Sequence, residues 1–228
     1  MRDQIQHIFF DLDHTLWDFD RNSKLAFQQL FQSHSISIDL DAFMKIYEPI
    51  NFSYWKRYRE ERVTKQELRR GRFFEAFLPF GMQFTDAELD TLATTYIEEL
   101  PKNNFLFEGV MEVLQYLSEK YILHIITNGF EEVQHLKLKN SGISTYFKTV
   151  TTSEEVGLKK PNPVIFQKAL QKAMALPKVS LMIGDTFEAD ILGAESVGME
   201  TLFYNYRNEV IPPTYRVVES ILELKKHL

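Results

Sequence analysis

Cysteine is absent from the 228 residues. That removes disulfides, thiolate zinc sites and cysteine nucleophiles, and it fits a cytoplasmic chain. No apolar run approaches the roughly 20 residues of a membrane span, so no membrane partner is expected. Met1-Arg2-Asp3-Gln4 reads as the lead-in to a short strand and not as a signal peptide. Positive charge is in deficit: 26 Lys and Arg stand against 32 Asp and Glu, a net charge of −6. A general nucleic-acid-binding surface is therefore not expected. An acidic chain can still bind a phosphorylated small molecule where a few cations and a metal are gathered. The histidines, His7, His14, His34, His124, His135 and His227, have no zinc-ligand spacing. No internal repeat, low-complexity segment or flexible linker is present. What remains is an ordinary globular composition, long enough to bury a core.

An apolar run, Ile8-Phe9-Phe10, reads as a buried strand over residues 6–11 and delivers Asp11-Leu12-Asp13-His14-Thr15 at its end. From about Asp18 to Pro101 four helical stretches follow with no convincing strand, the second spanning Leu40 to Arg62 with an interruption near Pro49. Thr64-Lys65-Gln66-Glu67 and Thr85-Asp86-Ala87-Glu88 are capping-box patterns. Beyond Pro101, strands and helices alternate. Helices are expected over Gly109–Lys120, Glu131–Asn140, Asn162 to about Ala175, and after Gly184-Asp185 to about Val197. Strands are expected over Ile122–Ile126, Phe147–Thr151, Val179–Ile183 and Thr201–Phe203. Val217–His227 is expected to close the chain as an amphipathic helix. Such alternation predicts an α/β fold with a doubly wound parallel sheet. The roughly ninety helical residues after the first strand are most economically an inserted cap. The expected division is 1–17 with 102–228 as core, and 18–101 as cap.

Four strand ends then carry chemistry-bearing residues: Asp11 and Asp13; Thr127, Asn128 and Gly129; Lys160; and Asp185 with Asp190. In a parallel sheet these ends share one edge, where ligands bind. Singly, each has an ordinary explanation. Asp-x-Asp and Thr-Asn-Gly suit turns, Asp caps helices, and most lysines are solvated. It is their joint placement on successive strand ends that points to a site.

Asp11-Leu12-Asp13-His14-Thr15, Thr127-Asn128-Gly129, Lys160-Pro161 and Gly184-Asp185-Thr186-Phe187-Glu188-Ala189-Asp190 resemble the four motifs of the haloacid dehalogenase-like hydrolase superfamily, in order and over the whole chain. The resemblance implies a Rossmann-like core with a helical cap, and a phosphatase using Mg²⁺. It implies Asp11 as nucleophile and metal ligand, and Asp13 as a backbone metal ligand whose side chain carries protons. Asp185 would be a further metal ligand, and Asp190 would hold a metal-bound water or Lys160. Thr127, the Asn128 and Gly129 N–H groups and Lys160 would bind the phosphoryl group. Asp13 argues against a dehalogenase, which lacks this second acid. His14 stands where phosphomutases usually have Gly. A receiver domain would be about half this length, with its acceptor Asp off the first strand.

Further likenesses narrow the subgroup. Ile126 to Phe130, Ser153 to Gly157 with Lys160-Pro161-Asn162, Asp190 to Gly193, and Gly71-Arg72-Phe73 resemble the pyrimidine 5′-nucleotidases that act on noncanonical nucleotides. Glu108 departs from the Pro often found there, at a helix start. The implied substrates are pyrimidine nucleoside monophosphates such as dUMP and dTMP, with sugar or acyl-sugar phosphates as the alternative. The cap would select among them. Its aromatics, Phe43, Tyr47, Phe52, Tyr54, Trp55, Tyr58, Phe73, Phe74, Phe77, Phe80 and Phe84, are mostly expected as cap core. Trp55 is the first choice to stack on a base, with Tyr58 next. The basic run Arg69-Arg70-Gly71-Arg72 is either a solvated face or a source of one substrate contact, Arg72. A monomer or weak homodimer is expected.

Overall fold

The computed structural model describes residues 4–228. Met1, Arg2 and Asp3, read above as the lead-in to the first strand, lie outside them. The chain forms two compact units: residues up to Asp18 together with Asn104–Leu228, and Phe19–Asn103.

The first strand, β1 (His7–Phe10), is buried at every position. The second unit then holds α1 (Phe19–Ser33), α2 (Leu40–Arg59), α3 (Lys65–Phe77) and α4 (Asp86–Glu99). Both capping boxes form: Thr64 with Glu67, and Thr85 with Glu88, each exchange side-chain and backbone bonds. Phe27 lies at the centre of this unit, ringed by Phe31, Phe43, Tyr47, Phe73 and Tyr96 at centroid distances of 4.4–6.0 Å. Each fully buried Phe of this kind stabilises the fold by about 1.5–3 kcal/mol. Phe52 and Phe74 stay exposed on the helix surfaces, outside that core.

Pro49 does not interrupt α2, contrary to expectation. It sits on an exposed face, where water can satisfy the carbonyl that a proline leaves without a donor.

The first unit continues with α5 (Val110–Ser118), β2 (Ile122–Thr127), α6 (Glu131–Asn140), β3 (Phe147–Thr152), the single turn α7 (Ser153–Val156), α8 (Pro163–Ala173) and β4 (Ser180–Gly184). A π-helical turn, Phe187–Leu192, leads through α9 (Gly193–Glu195) to β5 (Glu200–Tyr204), β6 (Val217–Val218) and α10 (Leu224–His227). All strand pairs are parallel, in the order β3-β2-β1-β4-β5-β6. The order reverses at β1, so the crevice beyond its carboxyl end is the switch point where such sheets bind ligands.

Two expected helices are present in altered form. The long helix after Gly184-Asp185 starts as the π turn, in which the Asp190 N–H still reaches the Thr186 carbonyl at 2.8 Å. The closing helix is shortened because the β-branched pair Val217-Val218 adds to the sheet edge opposite Phe203 and Tyr204. Ser220 then caps the last helical turns by accepting from the Leu222 N–H.

A polar row crosses the sheet. His7 Nδ1 and His124 Nε2 are 3.0 Å apart, and His124 Nδ1 is 2.8 Å from Thr149 Oγ1. Phe9 stacks on His124 at 4.5 Å. Burial, aided by the neighbouring His7, lowers the pKa of His124 from 6.5 to about 4. The unfolded chain therefore binds the extra proton first as pH falls. Stability should be lost from pH 6.5 downward, with the loss from this group completed near pH 4. Urea unfolding of wild type and His124→Gln at pH 7 and 4.5 checks this. The variant is expected to show the smaller difference between the two pH values.

Candidate active site

Asp11 follows β1 directly, and its N–H donates to the Ile183 carbonyl of β4 at 2.9 Å. The chain then folds back on itself. The Leu12 carbonyl accepts from the Leu16 and Trp17 N–H groups at 3.0 and 2.9 Å, and the His14 N–H donates to the Trp17 carbonyl. His14 takes a left-handed backbone, φ 64°. Its Nδ1 lies 2.8 Å from the Tyr206 hydroxyl and 3.0 Å from an Arg207 nitrogen, so this ring braces the turn against the loop after β5.

Lys160 unites three strand ends. Its ammonium, 2% exposed, donates to Asp11 Oδ1 at 2.6 Å and to the Ile126 carbonyl at 2.8 Å, and pairs with Asp190 Oδ1 at 2.7 Å. The Asn128 side chain fixes the Lys160 backbone from both sides: Oδ1 accepts from its N–H at 2.8 Å, and Nδ2 donates to its carbonyl at 3.0 Å. The Lys160–Pro161 peptide is cis. Asp190 is held by the Thr186 N–H, which donates to Oδ2 at 3.0 Å. Asp185 accepts from the Thr15 hydroxyl at 3.3 Å.

Oxygens of Asp11, Asp185 and Asp190 all lie within 4.8 Å of one another, and all three residues are buried. Burial is the largest influence on Asp11, raising its pKa to about 7; Lys160 opposes the rise and Asp190 adds to it. Asp185 is raised well above the carboxylate range by burial, then by Asp11 and Asp190. Burial alone would lower the Lys160 pKa, but Asp11 and Asp190 together outweigh it and the net shift is upward. Lys160 and, for Asp185, Arg207 oppose the rise, yet both carboxyls stay raised, so negative charge is under-compensated. An all-oxygen donor set with excess negative charge fits a hard divalent cation such as Mg²⁺. Asp190, already engaged by Lys160 and the Thr186 N–H, is the least free of the three.

Thr127 ends β2 and is 1% exposed. Its hydroxyl accepts from the Gly129 N–H at 3.1 Å and from Gln134 Nε2 at 2.6 Å. Asp13 is half-buried, and Lys137 and Gln134 of α6 donate to its two oxygens. Neither α6 residue was singled out from the sequence. The available signal was two polar residues three apart, Gln134 and Lys137, on what becomes the buried side of a helix.

The two expected cap contacts lie in the unit Phe19–Asn103. Trp55 is half-buried, edge-on to Tyr58 at 5.8 Å. Arg72 is 1% exposed: Nη1 donates to Asn51 Oδ1 at 2.8 Å, while Nε and Nη2 have no hydrogen-bond partner among the described residues. Tyr96 and Phe73 lie 5.3 and 5.7 Å from its guanidinium carbon. Arg70, by contrast, pairs outward with Asp86 and Asp90.

A family model described as haloacid dehalogenase-like hydrolase matches residues 5–198. The pyrimidine 5′-nucleotidase PynA of Streptococcus pneumoniae is 34% identical over 216 residues, covering 92% of this chain and 90% of that protein. The pyrimidine 5′-nucleotidase YjjG of Escherichia coli is 34% identical over 227 residues, covering 97% and 96%. Among solved structures, the HAD-hydrolase YfnB of Bacillus subtilis, bound to magnesium, superposes with a TM-score of 0.89 at 28% identity, covering 99% of each chain.

Gly184 offers a structural test of the acidic cluster. A Cβ there would stand 2.3 Å from Asp190 Oδ2. Gly184→Ala should displace Asp190 from Lys160 and destabilise the fold by about 1–3 kcal/mol, read as a lower urea midpoint.

Proposed function

The chain belongs to the haloacid dehalogenase-like hydrolases, and from that membership we propose that it is a Mg²⁺-dependent phosphomonoesterase acting on pyrimidine nucleoside 5′-monophosphates, noncanonical ones included. The observation that carries the reading is the pairing of two unlike carboxylates on one strand end. Asp11 is buried against Lys160, and Asp13 is half-buried and held by other donors. One suits a nucleophile and the other a proton carrier.

In the proposed reaction the Asp11 carboxylate attacks phosphorus. The bond from phosphorus to the ester oxygen breaks, and Asp13 gives that oxygen its proton. Asp13 then takes a proton from water as the water oxygen attacks the aspartyl phosphate. Inorganic phosphate leaves and the Asp11 carboxylate is restored. Lys160, the Thr127 hydroxyl and the Asn128 and Gly129 N–H groups hold the phosphoryl oxygens and spread their charge. The Asp11 and Asp185 carboxylates with the Asp13 carbonyl would hold Mg²⁺, which supplies positive charge against the repulsion between two anions. Asp190 keeps Lys160 in place.

Two features support a nucleoside as the leaving group. Both nucleotidase relatives are similar over nearly the full chain. The cap also contains an aromatic surface at Trp55 and, at Arg72, two buried donor nitrogens without partners among the described residues, which suit the carbonyl oxygens of a pyrimidine.

Asp11→Asn is expected to abolish hydrolysis of p-nitrophenyl phosphate in Mg²⁺; turnover near wild type would remove Asp11 as nucleophile. A phosphate-release screen at equal concentration should rank dUMP, dTMP and UMP above AMP, sugar phosphates and acyl-sugar phosphates. Preference for a sugar phosphate over every pyrimidine nucleotide would overturn the substrate assignment.

A further inference from the structure

Gln134 and Lys137 stand one helical turn apart on α6, on the same face. Both are buried, at 0% and 2% exposure. Lys137 Nζ lies 2.5 Å from Asp13 Oδ1 and 4.3 Å from the centre of the Trp17 ring. Gln134 Nε2 donates to Asp13 Oδ2 at 3.0 Å and to Thr127 Oγ1 at 2.6 Å. Each oxygen of Asp13 therefore has its own donor, and both donors come from one rigid turn. Two contacts on two oxygens fix the plane of a carboxylate, which one contact does not. A carboxyl group has about four lone-pair positions, so the cradle leaves others on which the proton passed to the ester oxygen can sit.

This arrangement carries a cost that a purely structural contact would not require. Gln134 Oε1 is buried without a hydrogen-bond partner among the described residues, an expensive way to place an amide. The backbone also makes room for it: a Cβ at Gly129 would stand 2.3 Å from Gln134 Nε2 and 2.5 Å from Cδ. The glycine that ends the β2 motif thus lets the Gln134 amide lie between Asp13 and Thr127.

We propose that Gln134 and Lys137 are positioning residues that orient Asp13 for proton transfer, and that Gln134, bonded to both residues, sets Asp13 in register with the phosphoryl-binding Thr127. The proposal rests on the phosphoryl-transfer reading above. The bonds made and broken are those already given; α6 holds the carboxyl that supplies the proton and takes no part in the covalent change.

The reading predicts a dependence on the leaving group. A poor leaving group, such as the 5′ oxygen of a nucleoside, needs the proton from Asp13, whereas p-nitrophenolate departs nearly unaided. The value of kcat/KM reports only steps up to that departure. Lys137→Met and Gln134→Leu should each lower kcat/KM for dUMP by about 100-fold and for p-nitrophenyl phosphate by less than about tenfold, general acid catalysis being of that size. In an Asp13→Asn background the same substitutions should cost less than about threefold further, because they act through Asp13. Equal losses on the two esters, or full additivity with Asp13→Asn, would overturn the proposal. Thermal melts accompany each variant. If Lys137→Met does not fold, Gln134→Leu, which removes no charge, decides. Asp13→Asn with wild-type kcat/KM on both esters would instead bring down the phosphoryl-transfer reading itself.

Discussion

The buried ammonium of Lys160 is the contact on which the rest of this site depends. It bridges the Asp11 carboxylate after β1, the Ile126 carbonyl in β2 and the Asp190 carboxylate after β4. Removing a lysine from water is costly, and only close anionic partners offset that cost. The surroundings are built to secure it. Asn128 fixes its backbone, the Thr186 N–H fixes Asp190, and Gly184 leaves the space that Asp190 occupies. Because β1 lies between β2 and β4, residues distant in sequence reach one ammonium without distortion of the sheet.

Lys160 does not balance the charge it gathers. It pairs with two of the three clustered carboxylates, and burial raises the pKa of both Asp11 and Asp185. Such an excess is unfavourable alone and would be relieved by the proposed Mg²⁺. Asp13 is kept apart from this cluster. It is less buried and is tied to Lys137 and Gln134. Separate cations for the two acids give one sequence motif two different electrostatic settings, which suits the proposed roles of nucleophile and proton carrier.

Much of this was legible in the sequence because the sheet is buried on both faces. Continuous apolar runs mark β1, β2 and β4, and Asp11, Thr127 and Asp185 fall at the ends of these runs. The capping boxes of α3 and α4 were equally legible, being local chemistry. The misreadings have tertiary causes. Val217 and Val218 follow a helical periodicity but are taken up by the sheet edge. The segment after Asp185 opens with a π turn that places Asp190 at Lys160. Gln134 and Lys137 escaped notice because polar residues on a helix are ordinarily solvated. Only the packing of α6 shows that these two face Asp13. Arg72 was legible as a candidate through its motif, and its burial beside Asn51 was not.

The central claim is that Asp11 becomes covalently phosphorylated during turnover. The direct measurement is acid quenching of the wild-type enzyme while it hydrolyses a phosphate ester in Mg²⁺, followed by borohydride, which reduces an aspartyl phosphate to homoserine. Peptide mass spectrometry then locates the change. Homoserine at position 11, dependent on substrate, is the result this account predicts. Reduction at any other carboxylate, or sustained turnover that leaves every carboxylate unreduced, would contradict it.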